Sequence, residues 1–488
     1  SGFLKYIQDE IVAGISKAER DTLKILALFR TPIKLGDMYN INIRIDGIES
    51  LDDRGLIEKD ETDNCEIHEV IKEFMISRMG KDERKSLNKR IARMCSSLPG
   101  ELSAVESIHH YVEAGDYGRG AALLMDFGEP IITFGMAPRI IAQVRKIAEN
   151  YRPVSNFAAK FYRIIGDVFE QCGEWDDASN AYRIAGAADD TIESALALTR
   201  LGEIYFRRGK LDDMEAVLKK ALKISERVES PDIQGECQYS LGTLALKRNN
   251  NDEALKAFER AIKKAQKSGN RKLLAKALTG KGRVEHARGH FLQAIETRKR
   301  SIAIFREIGD KAGLSKALTG IGTSYFNLKE NIKALEYFQD AAKVSESVGD
   351  VRLLAYALTN AGGVQIEASD CETAEVNLTK ALKIFESLGE TDKIPPICLN
   401  LSVLYIKRRT PEKALGYARK GYEIALDLGI PRDIARANAF LGEVLLELKR
   451  YTEAKKHLRF SLTYAKTNQD KEMEIEMIKG LNMIEGEK

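Results

Sequence analysis

The chain has 488 residues, which at about 150 residues per domain predicts about three globular domains. Charged residues make up 31% of it, and the longest uncharged stretch, the fourteen residues Leu353 to Ile366, is shorter than the roughly 18 a membrane helix needs, so no membrane span is expected. The formal net charge of +3 conceals an uneven distribution. Position 1 is Ser followed by Gly, without the basic, apolar and small-residue series of a signal peptide, which reads as the boundary of a fragment of a cytoplasmic protein. The six cysteines (Cys65, Cys95, Cys172, Cys237, Cys371, Cys398) form no C-x-x-C pair and have no His at ligand spacing, as in a reduced intracellular protein without a structural metal. Ten prolines are under half the usual share of about 5% and favour long helices.

Ser16 and Glu19 have the spacing of a capping box. It opens a helix to about Phe29 with Leu23, Leu26 and Leu28 inward. A second short helix is expected after Pro32 and a third over about Ile45 to Asp53. LIEK and CEIH then make two short strands around the turn DETDN, and a helix from Glu69 to Met79 follows. This order resembles a winged helix. Such a domain usually points to DNA, but the third helix carries Asp46, Glu49, Asp52 and Asp53 against Arg54 alone. Residues 1–99 hold seventeen Lys and Arg against eighteen Asp and Glu, a balance that repels phosphates and argues against DNA.

The segment IHEVIKEFM, with His68 ending the second strand, resembles the M-H-D motif of signal-transduction NTPases with numerous domains (STAND). That class contains plant disease-resistance proteins and the bacterial maltose-type activators. The resemblance implies that His68 donates to the β-phosphate of bound ADP and holds a closed, inactive state. Ile67 stands where the motif has Met, and Glu69 where it has Asp. Within residues 101–151, the run IHHYVEAGDYGRGAALLMDFGEPIITFG resembles the helical arm that joins winged helix to sensor in the same class.

From about residue 159 the chain repeats itself. Eight segments align without gaps on a small anchor at Gly166, Gly202, Gly242, Gly282, Gly322, Gly362, Ser402 and Gly442; the first interval is 36 residues and the other six are 40. Twelve residues after the anchor, seven of eight positions are Ala. Seven further on stands another small residue, from Ala185 to Ser461. Small residues in both columns suit stacked pairs of antiparallel helices. Gly269, Gly309, Gly349, Gly389 and Gly429 are placed to end each second helix in the left-handed conformation. The columns resemble tetratricopeptide repeats over residues 159–486, and a period of 40 rather than about 34 implies helices about one turn longer. The expected fold is all-α: a right-handed α-solenoid of long TPR-like pairs (156–488, with a C-terminal capping helix), preceded by a winged-helix domain (1–98) and a helical arm (99–155).

In arrays of this type the first helix of each pair lines the concave face. The resemblance therefore offers Lys276, Arg283, His286, Lys316, Phe326, Asn327 and Tyr356 as candidates for binding an effector. Charge points the same way, since residues 241–300 hold sixteen Lys and Arg against five Asp and Glu. That net +11 zone suits an acidic partner, and the few interleaved aromatics disfavour single-stranded nucleic acid. No G-x(4)-G-K-[ST] loop, catalytic triad or H-E-x-x-H motif occurs, so no enzyme activity and no metal site are expected in this chain. The resemblance implies the regulatory, ligand-sensing part of a STAND ATPase. Its solenoid would bind an effector protein or small molecule, and its winged helix and arm would restrain a nucleotide-binding module lying before Ser1. ADP or ATP is expected only with that module, and oligomerisation only in the activated full-length protein. The alternatives are an interaction scaffold without nucleotide switching and a transcription regulator.

Overall fold

The computed structural model describes residues 14–34, 36–37 and 47–486. The chain forms two compact units, Ser1–Cys237 and Gln238–Lys488.

In the first unit, Ser16 Oγ accepts from the Glu19 amide at 3.2 Å and the Glu19 carboxylate accepts from the Ser16 amide at 2.6 Å, which is the expected capping box. The helix is Lys17–Leu26, with Leu23, Leu26 and Leu28 all buried. It stops three residues short of Phe29 because Leu28 and Phe29 turn back onto the carbonyls of Ile25 and Leu26. Directly after Pro32, where a second helix was expected, the chain forms strand β1 (Ile33–Lys34) as the partner of a third strand. Most of that second helix's span lies outside the described residues. The third helix is described as Ile48–Asp53; positions 45 and 46 lie outside the described residues, and Glu49, Asp52 and Asp53 are exposed. Strands β2 (Ile57–Lys59) and β3 (Asn64–Ile67) form the expected hairpin, and the antiparallel sheet has the order β1-β3-β2. Asp60 organises the hairpin turn, accepting from the Thr62 and Asn64 amides at 2.8 and 2.9 Å. Helix Glu69–Arg78 follows at once, then Lys81–Ser97.

One apolar core runs from Ile15 to Cys95, and a second runs from Ala104 to Cys237 with no interruption at residue 155. Polar contacts join their edges. Ser107 Oγ donates to the Ala92 carbonyl at 2.8 Å, Arg30 pairs with Glu106 at 2.9 Å, and the buried His110 places Nδ1 2.7 Å from Asn88 Oδ1. Because Asn88 Oδ1 only accepts, His110 carries its proton on Nδ1. Burial, then the neighbouring His109 and Arg30, hold the His110 pKa well below its usual value. Burial and Arg30 bring His109 down to about 4.

The unfolded chain, with histidines near pH 6.5, therefore takes up protons that the folded chain refuses. Stability is full above that pH and falls as pH drops towards 4, by about 1.4 kcal/mol per pH unit for each histidine. Urea midpoints measured at pH 7 and pH 5 are expected to show this loss, and the double variant His109→Gln/His110→Gln is expected to flatten the difference. An equal pH response in both proteins would rule out the pair as its source.

The first repeat contains an ionic cluster. Arg163, 6% exposed, meets Glu129, Asp167 and Glu193, and the Tyr182 hydroxyl shares its proton between Asp167 at 2.6 Å and Glu170 at 2.8 Å. Burial raises the Asp167 pKa despite these partners.

The second unit shows how the period arises. Helices Arg271–Ala287 and Phe291–Glu307 each have seventeen residues, and each is followed by a three-residue turn, which accounts for forty. The 36-residue interval in the first unit has its own cause, since the second helix there, Trp175–Ala187, has only thirteen. Gly269, Gly309, Gly349, Gly389 and Gly429 have φ between +67° and +73°, the left-handed conformation expected at these ends. The turn inside each pair also contains a left-handed residue; in one pair it is Gly289, but Asn249, Lys329, Ser369, Arg409 and Lys449 adopt it without being glycine. Next to the terminal glycines, Asn270, Asp310 and Asp350 cap the following helices by accepting from the amide three residues on.

The anchors have a steric reason. A Cβ on Gly322 would lie 2.7 Å from the Phe338 ring, one on Gly362 2.6 Å from Leu378, and one on Gly442 2.7 Å from Leu458. In seven of the eight repeats the first helix thus accepts, at its glycine anchor, a large residue sixteen positions on in the second helix. Phe258 lies between two glycines, Gly242 and Gly280, where added Cβ atoms would come within 2.9 and 2.4 Å of its ring. The fold is an all-α solenoid, with the short sheet of the first unit as its β-structure among the described residues.

Candidate functional site

Residues forty apart occupy equivalent places on successive first helices, so Lys276 and Lys316 recur on one face. Both line a cavity of about 290 Å³, together with Lys272, Tyr239, Thr279 and Phe305. The Lys276 ammonium lies 5.8 Å from the centroid of the Tyr239 ring. Among the described residues, no carboxylate lies within ion-pairing distance of Lys272, Lys276 or Lys316. The single carboxylate in the lining, Asp310, is engaged as a helix cap, its Oδ1 accepting from the Gly313 amide at 2.8 Å. Gly313 is required there, because a Cβ would lie 2.3 Å from the Phe305 ring. Three cations converge on a partly apolar hollow, a composition suited to an anion with carboxylate or phosphate groups.

The other candidates lie elsewhere. Arg283 is exposed, and His286, half-buried, sets Nδ1 3.0 Å from Ser324 Oγ and its ring edge-on to Phe291 at 5.1 Å. Burial and the nearby Arg298 lower the His286 pKa. Phe326 is half-buried under Lys329, the side-chain Nδ2 of Asn327 donates to the Thr323 carbonyl at 2.9 Å, and Tyr356 packs edge-on against Phe385 at 5.2 Å. None of these five lines the cavity of Lys276 and Lys316.

In the first unit His68 is exposed at the start of helix Glu69–Arg78, its Nε2 3.4 Å from Glu58 Oε1.

One charged residue beside His286 was not singled out from the sequence. Arg298, 3% exposed, occupies the place that Phe258 and Phe338 hold in neighbouring repeats. Its Nη1 donates to the Gly320 carbonyl at 2.7 Å and to Ser324 Oγ at 2.9 Å, while its Nε has no partner. Burial, then Arg283, brings its pKa down to about 10. The signal was in the column sixteen after the anchor, where Arg298 is the one charged member among Tyr182, Leu218, Phe258, Phe338, Leu378, Ala418 and Leu458. Among the described residues there is no group of three or more potential metal ligands, and no helix is long and apolar enough to cross a membrane.

The tetratricopeptide-repeat family model matches residues 193–267, 240–307 and 313–387. No curated protein matches the chain. Among solved structures, the chain is similar to a STAND protein with a tetratricopeptide repeat sensor, PH0952 from Pyrococcus horikoshii, at 18% identity and a TM-score of 0.55, covering 97% of this chain and 67% of that one. It is also similar to aspartyl phosphate phosphatase F from Bacillus subtilis, at 17% identity and a TM-score of 0.46, covering 84% and 94%. A Rap protein complexed with competence and sporulation factor matches at 11% identity and a TM-score of 0.48, covering 76% and 98%. Over residues 193–307 and 313–387 the chain is thus built of tetratricopeptide repeats, on a fold shared with a STAND protein that carries such repeats as its sensor.

Proposed function

We propose that this chain is the regulatory, effector-sensing region of a signal-transduction ATPase, and that its effector is anionic. The observation that carries the reading is the convergence of Lys272, Lys276 and Lys316 on one cavity of the repeat array, with no carboxylate paired to any of them among the described residues. The fold shared with a STAND protein supports the setting. In this setting the first unit restrains a nucleotide-binding module that the present sequence, lacking a phosphate loop, does not contain. The exposed His68 is the residue that would reach the nucleotide. The effector shifts such a switch only by the difference between its affinities for the open and closed forms.

A fluorescent hexaglutamate peptide and inorganic tripolyphosphate, titrated separately, represent a protein and a small-molecule effector. Saturable binding of one of them is expected, weakened about tenfold or more by Lys276→Glu/Lys316→Glu, equivalent to about 1.4 kcal/mol or more. Absence of binding by the native chain, or equal binding by the charge-reversed variant, would overturn the anionic-effector reading.

A further inference from the structure

The seventh repeat departs from the packing rule of the others. Its anchor is Ser402, whose hydroxyl is turned back to the carbonyls of Cys398 at 2.8 Å and Ala414 at 3.2 Å. Sixteen residues on, where the other repeats have Tyr, Leu, Phe or Arg, stands Ala418. Bulk arrives instead from the next first helix. Phe440 stands two before its anchor, where the earlier repeats of this unit have Ser240, Gly280, Gly320, Asn360 and Asn400. The exchange leaves a hole of about 250 Å³, bounded by Pro395, Leu399, Tyr417, Ala418, Gly421 and Phe440. Gly421 keeps the helices close, since a Cβ there would lie 3.2 Å from that of Cys398.

Four charged residues also line this hole, and two of them, Asp392 and Lys393, are paired with each other at 2.5 Å. Asp433 and Arg436 stand one turn apart on helix Pro431–Glu447, and neither has an ion-pair partner among the described residues. A cavity of about 150 Å³ is enough for benzene in a protein interior, so the hole has room for an aromatic ring with several further atoms. An anion and a cation three residues apart on one helix face match a ligand head that carries an ammonium and a carboxylate together. Ligand pockets generally combine such apolar walls with a few convergent polar groups.

We infer that this cavity binds a small aromatic zwitterion, an α-amino acid with an aromatic side chain. The ring enters between Tyr417 and Phe440 over Ala418, the ammonium meets Asp433, and the carboxylate meets Arg436. The site shares no residue with the lysine-lined cavity, and the inference stands independently of the anionic effector.

The test is calorimetric titration of the full chain with L-phenylalanine, beside phenethylamine, 3-phenylpropionate and L-alanine. L-Phenylalanine is expected to bind saturably, and the three probes lacking carboxylate, ammonium or ring are each expected to bind about tenfold more weakly or worse. Ser402→Gly/Ala418→Leu rebuilds the Gly–Leu pair present at Gly362–Leu378 and Gly442–Leu458, filling the hole with a side chain the array already accommodates. It is expected to abolish binding with an unchanged or raised Tm. Should that variant fail to fold, Asp433→Asn/Arg436→Gln changes only lining charges and is expected to weaken L-phenylalanine about tenfold or more while leaving Tm unchanged. No saturable binding by the native chain, binding that survives the filled cavity, or equal binding of L-phenylalanine and phenethylamine would each overturn the assignment.

Discussion

Truncation of Phe258 to alanine is expected to destabilise the repeat region by about 3–5 kcal/mol, measured by urea unfolding of the full chain. Its ring is fully buried, and Gly242 and Gly280 leave it space on both sides. The same geometry predicts that Gly280→Ala is harmful even though alanine is the better helix former. A methyl 2.4 Å from the ring forces a shift that costs about 1–3 kcal/mol, against about 1 kcal/mol gained in helix propensity. In a Phe258→Ala background the clash is gone and Gly280→Ala becomes stabilising. The coupling between the two sites should exceed about 1 kcal/mol in a double-mutant cycle. Additive effects would show that the ring does not require the glycine.

Arg163→Met in the first unit is expected to cost about 3–5 kcal/mol, because it strips a largely buried carboxylate of its cation. Asp167 would keep the Tyr182 hydroxyl at 2.6 Å but lose Arg163 Nη1, also at 2.6 Å. The exposed side of the cluster matters less, since Glu129 retains water when its partner goes. Adding Asp167→Asn to the methionine variant should therefore recover much of the loss, and Glu129→Gln alone should cost under about 1 kcal/mol. Melting temperatures of the four proteins decide the matter. An Arg163→Met variant as stable as the native chain would mean that the cluster contributes no net stability.

The array was legible in the sequence because close packing writes itself into columns: Gly322 against Phe338 and Gly362 against Leu378 are the same contact forty residues apart. The terminal glycines were legible for a similar reason, since a left-handed residue at a fixed register favours glycine strongly. The turns inside the pairs left no such trace, because Lys329 and Arg409 adopt positive φ without being glycine. Of the candidate site, Lys276 and Lys316 were found by register on the first helices. Lys272, one turn before Lys276 on the same helix, and Phe305, on the second helix, were not, since Phe305 reaches the cavity only through the way a second helix meets the next pair. The hole in the seventh repeat depends on three substitutions at once, at positions 402, 418 and 440, each unremarkable when read alone. Near the N-terminus, two residues of strand are too short for any period-two pattern, and Ile33–Lys34 is seen only through its pairing with β3.

The junction between pairs has a genetic consequence. At Gly309–Asp310 and Gly349–Asp350 one residue closes a helix and its neighbour opens the next, so both helix ends are completed within a dipeptide. Recombination between two such dipeptides adds or removes a whole forty-residue unit and leaves no unfinished helix end on either side. The length of the array can therefore drift over evolutionary time in whole steps, while the odd members such as Arg298 and Ala418 mark the units whose neighbours are not interchangeable.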